Sequence, residues 1–120
     1  MTLIETLKEL KTKDNFHSEV WENKGLMMSS EEVCARLNND YKLLLDEAIN
    51  QLLKKNSHEK LRTQLGKKLR SVDKRQYDTE EKELFLDKVM ELAEMLNIDL
   101  RFEANRWLYG YILAKLFTRK

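Results

Sequence analysis

The sequence predicts an all-α fold, a single-domain bundle of four main helices plus a short N-terminal helix, spanning residues 1–120. Three observations predict it. The chain has no proline and only three glycines, too few turn formers for a small β-sandwich or barrel. Apolar residues recur at steps of three and four, the spacing of one helix face. Residues that cap helix N-termini stand before several of these runs. At this length a chain buries one core, so one domain is expected.

The elements follow in order. Thr2 with Glu5 has the spacing of a capping box, and Leu3, Leu7 and Leu10 share a face with Ile4 beside them. From Lys13 to Met28 the periodicity fails, and a long ordered loop or broken turn is expected, pinned by Phe16, Val20, Trp21 and Leu26. Ser29 with Glu32 has the spacing of a second capping box, opening a helix to about Lys55. Its stripe runs through Val33, Leu37, Tyr41, Leu44, Ala48 and Leu52, and Leu45 and Ile49 widen it. Asn38-Asn39-Asp40 favours turns, yet the stripe stays in phase across it.

Asn56 or Ser57 caps the next helix, with Leu61, Leu65, Leu69 and Val72 on its face. Gly66 weakens that helix by about 1 kcal/mol relative to alanine. Asp73 to Asp78 is a polar connection. Thr79, followed by Glu80 and Glu81, is the expected cap of the fourth main-chain run, which carries Leu84, Phe85, Val89, Leu92, Ala93 and Leu96 and stops at Asn97. Asp99 or Leu100 opens the last helix, with Ala104, Trp107, Leu108, Tyr111, Ile112 and Leu116. Lys115, Arg119 and Lys120 sit near its end, where cations suit the dipole.

Composition narrows function. A single cysteine, Cys34, forms no internal disulfide, so nothing points to an oxidising compartment. The N-terminus lacks the apolar run of a secretory signal. The most apolar stretch, Trp107 to Leu113, falls far short of the roughly 20 residues that span a bilayer. The expected location is the cytoplasm, with no membrane partner.

The charge is arranged in blocks. The 22 basic and 21 acidic residues nearly cancel, yet residues 1–53 carry −4, residues 54–75 +7, residues 76–100 −6 and residues 101–120 +4. Glu80, Glu83, Asp87, Glu91 and Glu94 follow helical steps along one face. Like charges at these spacings repel, so a face of this kind suits a basic protein partner. The alternative is a solvated face neutralised by the chain's own basic segment.

The basic segment itself suggests phosphate neutralisation by Lys54, Lys55, Lys60, Arg62, Lys67, Lys68, Arg70, Lys74 and Arg75. No aromatic residue stands between Lys54 and Arg75, and no nucleic-acid motif is present, so nucleic acid is not the expected partner.

Site chemistry is sparse. His17 and His58 stand outside any nucleophile motif, and His17 with Glu19 and Glu22 lacks the paired Cys/His spacing of a structural zinc site. Cys34 reads as a small apolar residue near a helix start. The carboxylates of the acidic face lack the Glu-Xaa-Xaa-His partners of a di-iron bundle. No catalytic residue, metal or cofactor is expected.

Tyr77-Asp78-Thr79-Glu80-Glu81, Phe85, Met90-Glu91, Leu92, Met95-Leu96, Asn105 and Trp107-Leu108-Tyr109-Gly110 resemble the C-terminal half of a family of small bacterial proteins, the domain of unknown function four-eight-four-four. The family pattern has a glycine where this chain has Asn97. With no assigned activity, the resemblance implies a helical fold. The residues then favour a non-catalytic protein-binding module, most specifically a bacterial immunity protein that neutralises a basic toxin domain, such as a nuclease, through Glu80, Glu83, Asp87, Glu91 and Glu94. A nucleic-acid-associated or regulatory protein using residues 54–75 is the alternative.

Overall fold

In a computed structural model, residues 1–110 and Leu113 are described. They form six helices: α1 (Leu3–Lys11), α2 (Ser18–Asn23), α3 (Glu31–Leu53), α4 (His58–Ser71), α5 (Thr79–Leu96) and α6 (Arg101–Tyr109). A single 3-10 turn, Lys74–Gln76, joins α4 to α5. Among the described residues the fold is all-α. The expected positions Tyr111, Ile112, Lys115, Leu116, Arg119 and Lys120 lie outside them.

The long α3 is the axis of the bundle. Helices α1, α4 and α5 pack on it, and α6 closes the far side against α4 and α5. The apolar stripe read from the sequence is the buried face: Leu37, Tyr41, Leu44, Leu45 and Ala48 are all nearly inaccessible. The Asn38-Asn39-Asp40 run does not break the helix, and its Asn38 and Asp40 side chains are used across elements. Asn38 Nδ2 donates to Asp14 Oδ1 at 2.8 Å, and Asn38 Oδ1 accepts from Asn15 N at 2.8 Å. Asp40 Oδ2 accepts from the Tyr77 hydroxyl at 2.5 Å.

Three local expectations are corrected. The stretch from Lys13 to Met28 contains α2, a helix of six residues. Its aromatics do pin it: Phe16 and Trp21 are buried, and Trp21 Nε1 donates to the Phe16 carbonyl at 2.9 Å. The cap of α3 is Ser30, whose hydroxyl accepts from Val33 N, while Ser29 instead donates to Glu81 Oε2 at 2.5 Å. The cap of α5 is Asp78 rather than Thr79. Asp78 and Glu81 form a reciprocal capping box, each carboxylate accepting from the other's backbone N–H at 2.8 Å. A carboxylate accepts this bond with a full charge at the positive end of the helix, and Glu81 sits at the third helical position to return it.

Gly66 has a packing role that offsets its helix-propensity cost. A Cβ there would lie 2.8 Å from Glu103 Cγ, so the missing side chain lets α6 approach α4. Asn97 ends α5 with φ 56°, in the left-handed region. That region favours glycine first and asparagine next, so an asparagine can end the helix here.

Phe85 organises the centre. Its ring stacks on Phe16 at 6.4 Å and on Tyr77 at 6.5 Å, and meets Trp107 at 5.6 Å. Each partner belongs to a different segment, so α5 is held in one rotational setting. At about 100° per residue, Phe85 points inward while Asp87 and Glu94 point roughly the opposite way.

Candidate partner-binding surface

The five predicted site residues come together as one ridge on α5. Glu80, Glu83, Glu91 and Glu94 are exposed and Asp87 is half-buried. On an ideal helix they fall within an arc of about 80°. Core packing on Leu84, Phe85, Val89, Leu92 and Leu96 turns that arc to solvent.

Only part of the ridge is neutralised. Lys24, just after α2, places Nζ 3.2 Å from Asp87 Oδ2. Lys88 on α5 itself reaches Glu91 Oε2 at 3.4 Å. Among the described residues Glu80, Glu83 and Glu94 make no ion pair. The basic segment therefore does not neutralise the ridge: α4 packs on α3 and α6. Its Arg62 is drawn inward, with Nη1 at 2.5 Å from Oε1 of the buried Glu103.

Apolar groups flank the ridge, and sequence reasoning missed them. Lys24 is tied to Asp87 and Ser29 to Glu81, so the intervening segment runs alongside α5. That segment leaves Met27 90% exposed and Met28 44% exposed. At the other end of the ridge, Met95 is 37% exposed. Across the ridge from Met95, a shallow groove of about 550 Å³ is lined by Met90, Ala93 and Ile98 together with Glu94, Asn97, Asp99 and Arg101. The adjacent pair Met27-Met28 was the available signal, in a segment lacking helical periodicity. Methionine adapts its shape to many surfaces and is common where partners bind.

Away from the ridge, the lone thiol faces inward. Cys34 is buried, and burial, with Asp14 and Glu81 nearby, pushes its thiol up and keeps it protonated at neutral pH. Burial and the Asp40 hydrogen bond likewise raise the Tyr77 phenol. His17 and His58 are exposed at the starts of α2 and α4. Among the described residues no group of three or more His, Cys, Asp and Glu side chains is placed to hold a metal ion. None of the described helices is long and apolar enough to cross a membrane.

Fold and surface together define a small all-α protein with an acidic, methionine-flanked helix ridge. The chain belongs to the family described as Domain of unknown function (DUF4844), whose model matches residues 2–112. The match extends well beyond the C-terminal half that carried the resemblance in the sequence. No curated protein and no solved structure matches the chain.

Proposed function

We propose that this chain is a non-catalytic protein-binding module. Its most specific form is a bacterial immunity protein, acting in the cytoplasm, that neutralises a toxin with a basic surface, such as a nuclease. The observation that carries the reading is the incomplete neutralisation of the α5 ridge. Glu80, Glu83 and Glu94 project to solvent without a cation among the described residues. Elsewhere among the described residues, no buried side-chain nitrogen or oxygen lacks a hydrogen-bond partner.

Repulsion along the ridge costs a few tenths of a kcal/mol per neighbouring pair. A basic partner would remove it and supply counter-charges, which speeds encounter and fixes register. The methionines on either flank supply adaptable apolar contact once the charges have aligned the partner.

The test is co-expression with the protein encoded directly beside this chain's gene. If that protein arrests growth alone, this chain should restore growth, and the two should co-purify as a complex. Growth arrest that persists with this chain fully expressed, and no complex, would count against the immunity reading.

A further inference from the structure

We infer a second binding site, separate from the α5 ridge: a cationic groove that takes a phosphate-bearing small molecule. It lies where the end of α4, the 3-10 turn and the end of α6 meet. Its volume is about 640 Å³. That falls within the range of roughly 300–1,000 Å³ typical of small-ligand pockets.

Arg70, Lys74, Arg75 and Arg106 line the groove, with Asp73 the one carboxylate lining it among the described residues. Asp73 is already engaged, because Arg75 Nε and Nη2 donate to its two oxygens at 3.0 and 3.2 Å. Arg70 is exposed and makes no ion pair among the described residues. Lys74 Nζ makes only a long contact, 3.4 Å, to the Leu108 carbonyl. The C-termini of α4 and α6 converge here and contribute about half a negative charge each. With Arg75 paired to Asp73 and Arg106 left out of the balance, Arg70 and Lys74 still outweigh the two helix ends, and positive charge remains in surplus.

The base of the groove is rigid. Trp107 Nε1 donates to the Val72 carbonyl at 3.0 Å, which ties α6 to the end of α4. Guanidinium groups bordering such a floor suit the oxygens of a phosphate, which a guanidinium contacts in pairs.

The same geometry disfavours a nucleic-acid strand. Lys54 and Lys55 precede α4, at the opposite end of a 14-residue helix that separates them from Arg70 by about 20 Å. Arg62 between them is committed to Glu103. The cations of residues 54–75 therefore do not form a continuous backbone track.

Calorimetric titration of the full chain tests the assignment, with inorganic pyrophosphate, adenosine monophosphate and a short oligothymidylate as probes. Saturable one-to-one binding of pyrophosphate or the mononucleotide is expected. Preference for the mononucleotide would assign a nucleotide, and equal or better pyrophosphate binding a free phosphate compound. Arg70→Gln/Lys74→Gln should weaken binding by about tenfold or more. Lys54→Gln/Lys55→Gln should leave it within about twofold. Arg70→Gln alone, at an exposed site, gives the same readout should the double variant lose helicity. Three outcomes would overturn the proposal: no saturable binding of either small probe, equal losses in both variant pairs, or tighter binding of the oligonucleotide than of either small probe.

Discussion

Arg62 on α4 donates from Nη1 to Oε1 of Glu103 on α6 at 2.5 Å, and Glu103 is 5% exposed. The pair spans the place where Gly66 admits the neighbouring helix. Removing only the arginine strands a buried carboxylate. Such losses cost about 3–5 kcal/mol when both partners are buried. Because Arg62 is 38% exposed, a smaller loss of about 1–3 kcal/mol is expected for Arg62→Ala in urea denaturation. Arg62→Leu/Glu103→Met should recover most of it, since no unpaired charge remains.

Gly66→Ala tests the close approach directly. Helix propensity alone favours alanine by about 1 kcal/mol. The added Cβ would lie 2.8 Å from Glu103 Cγ and 3.7 Å from its Cβ, atoms near the α6 backbone that do not swing aside. Overpacking of this kind costs about 1–3 kcal/mol. The net expectation is a lower thermal midpoint. A raised midpoint would mean that α6 sits farther from α4.

The two candidate caps of α5 separate by mutation. Asp78→Ala removes the cap and half of the box, and should cost about 1–2 kcal/mol. Thr79→Ala, one position inside the helix, should change stability by less than about 0.5 kcal/mol. Equal losses at both positions would contradict the observed start of the helix.

Asp40 gives a pH signature of unusual sign for a carboxylate. Burial raises its pKa, more than the Tyr77 hydrogen bond lowers it, and Asp73 adds to the rise. A group with a raised pKa in the folded state favours folding below its ordinary value, and that contribution is lost as pH rises through the folded value. Asp40→Asn does not titrate. Its stability relative to the natural chain should therefore increase between about pH 3 and pH 7. A difference independent of pH would show that Asp40 is fully solvated.

Much of this architecture is legible in the residues, because helix stripes and stops depend on local spacing. The α3 stripe and the stop at Asn97 are readable on that basis, and the α4 cap is narrowed to Asn56 or Ser57, of which the structure uses Ser57. What escapes are choices made by contacts distant in sequence. Ser29 and Ser30 are equivalent as local caps, and Ser29 is claimed by Glu81 across 52 positions. Asp78 and Thr79 are both good caps, and Glu81 decides between them by its register. The short α2 carries too little periodicity to stand out, and it is held through Trp21 and the Phe16 carbonyl.

The ridge was legible for the same reason as the helices: its carboxylates obey helical spacing. Its partial neutralisation was not, because Lys24 reaches Asp87 from 63 positions away. Nor was the fate of the basic segment. Its charges look alike in sequence, but Arg62 joins a buried pair while Arg70, Lys74 and Arg75 line a groove.

The central claim is that a basic protein docks on Glu80, Glu83, Asp87, Glu91 and Glu94. Reversing two exposed members that make no ion pair, Glu83→Lys/Glu94→Lys, leaves the core and the Lys24–Asp87 bridge in place. Affinity capture from the chain's own cells, comparing this variant with the natural chain at matched helicity, is the most direct measurement. One dominant basic partner is expected for the natural chain, with a recovery at least about tenfold lower for the variant. Recovery of the same partner in equal amount from both would contradict it.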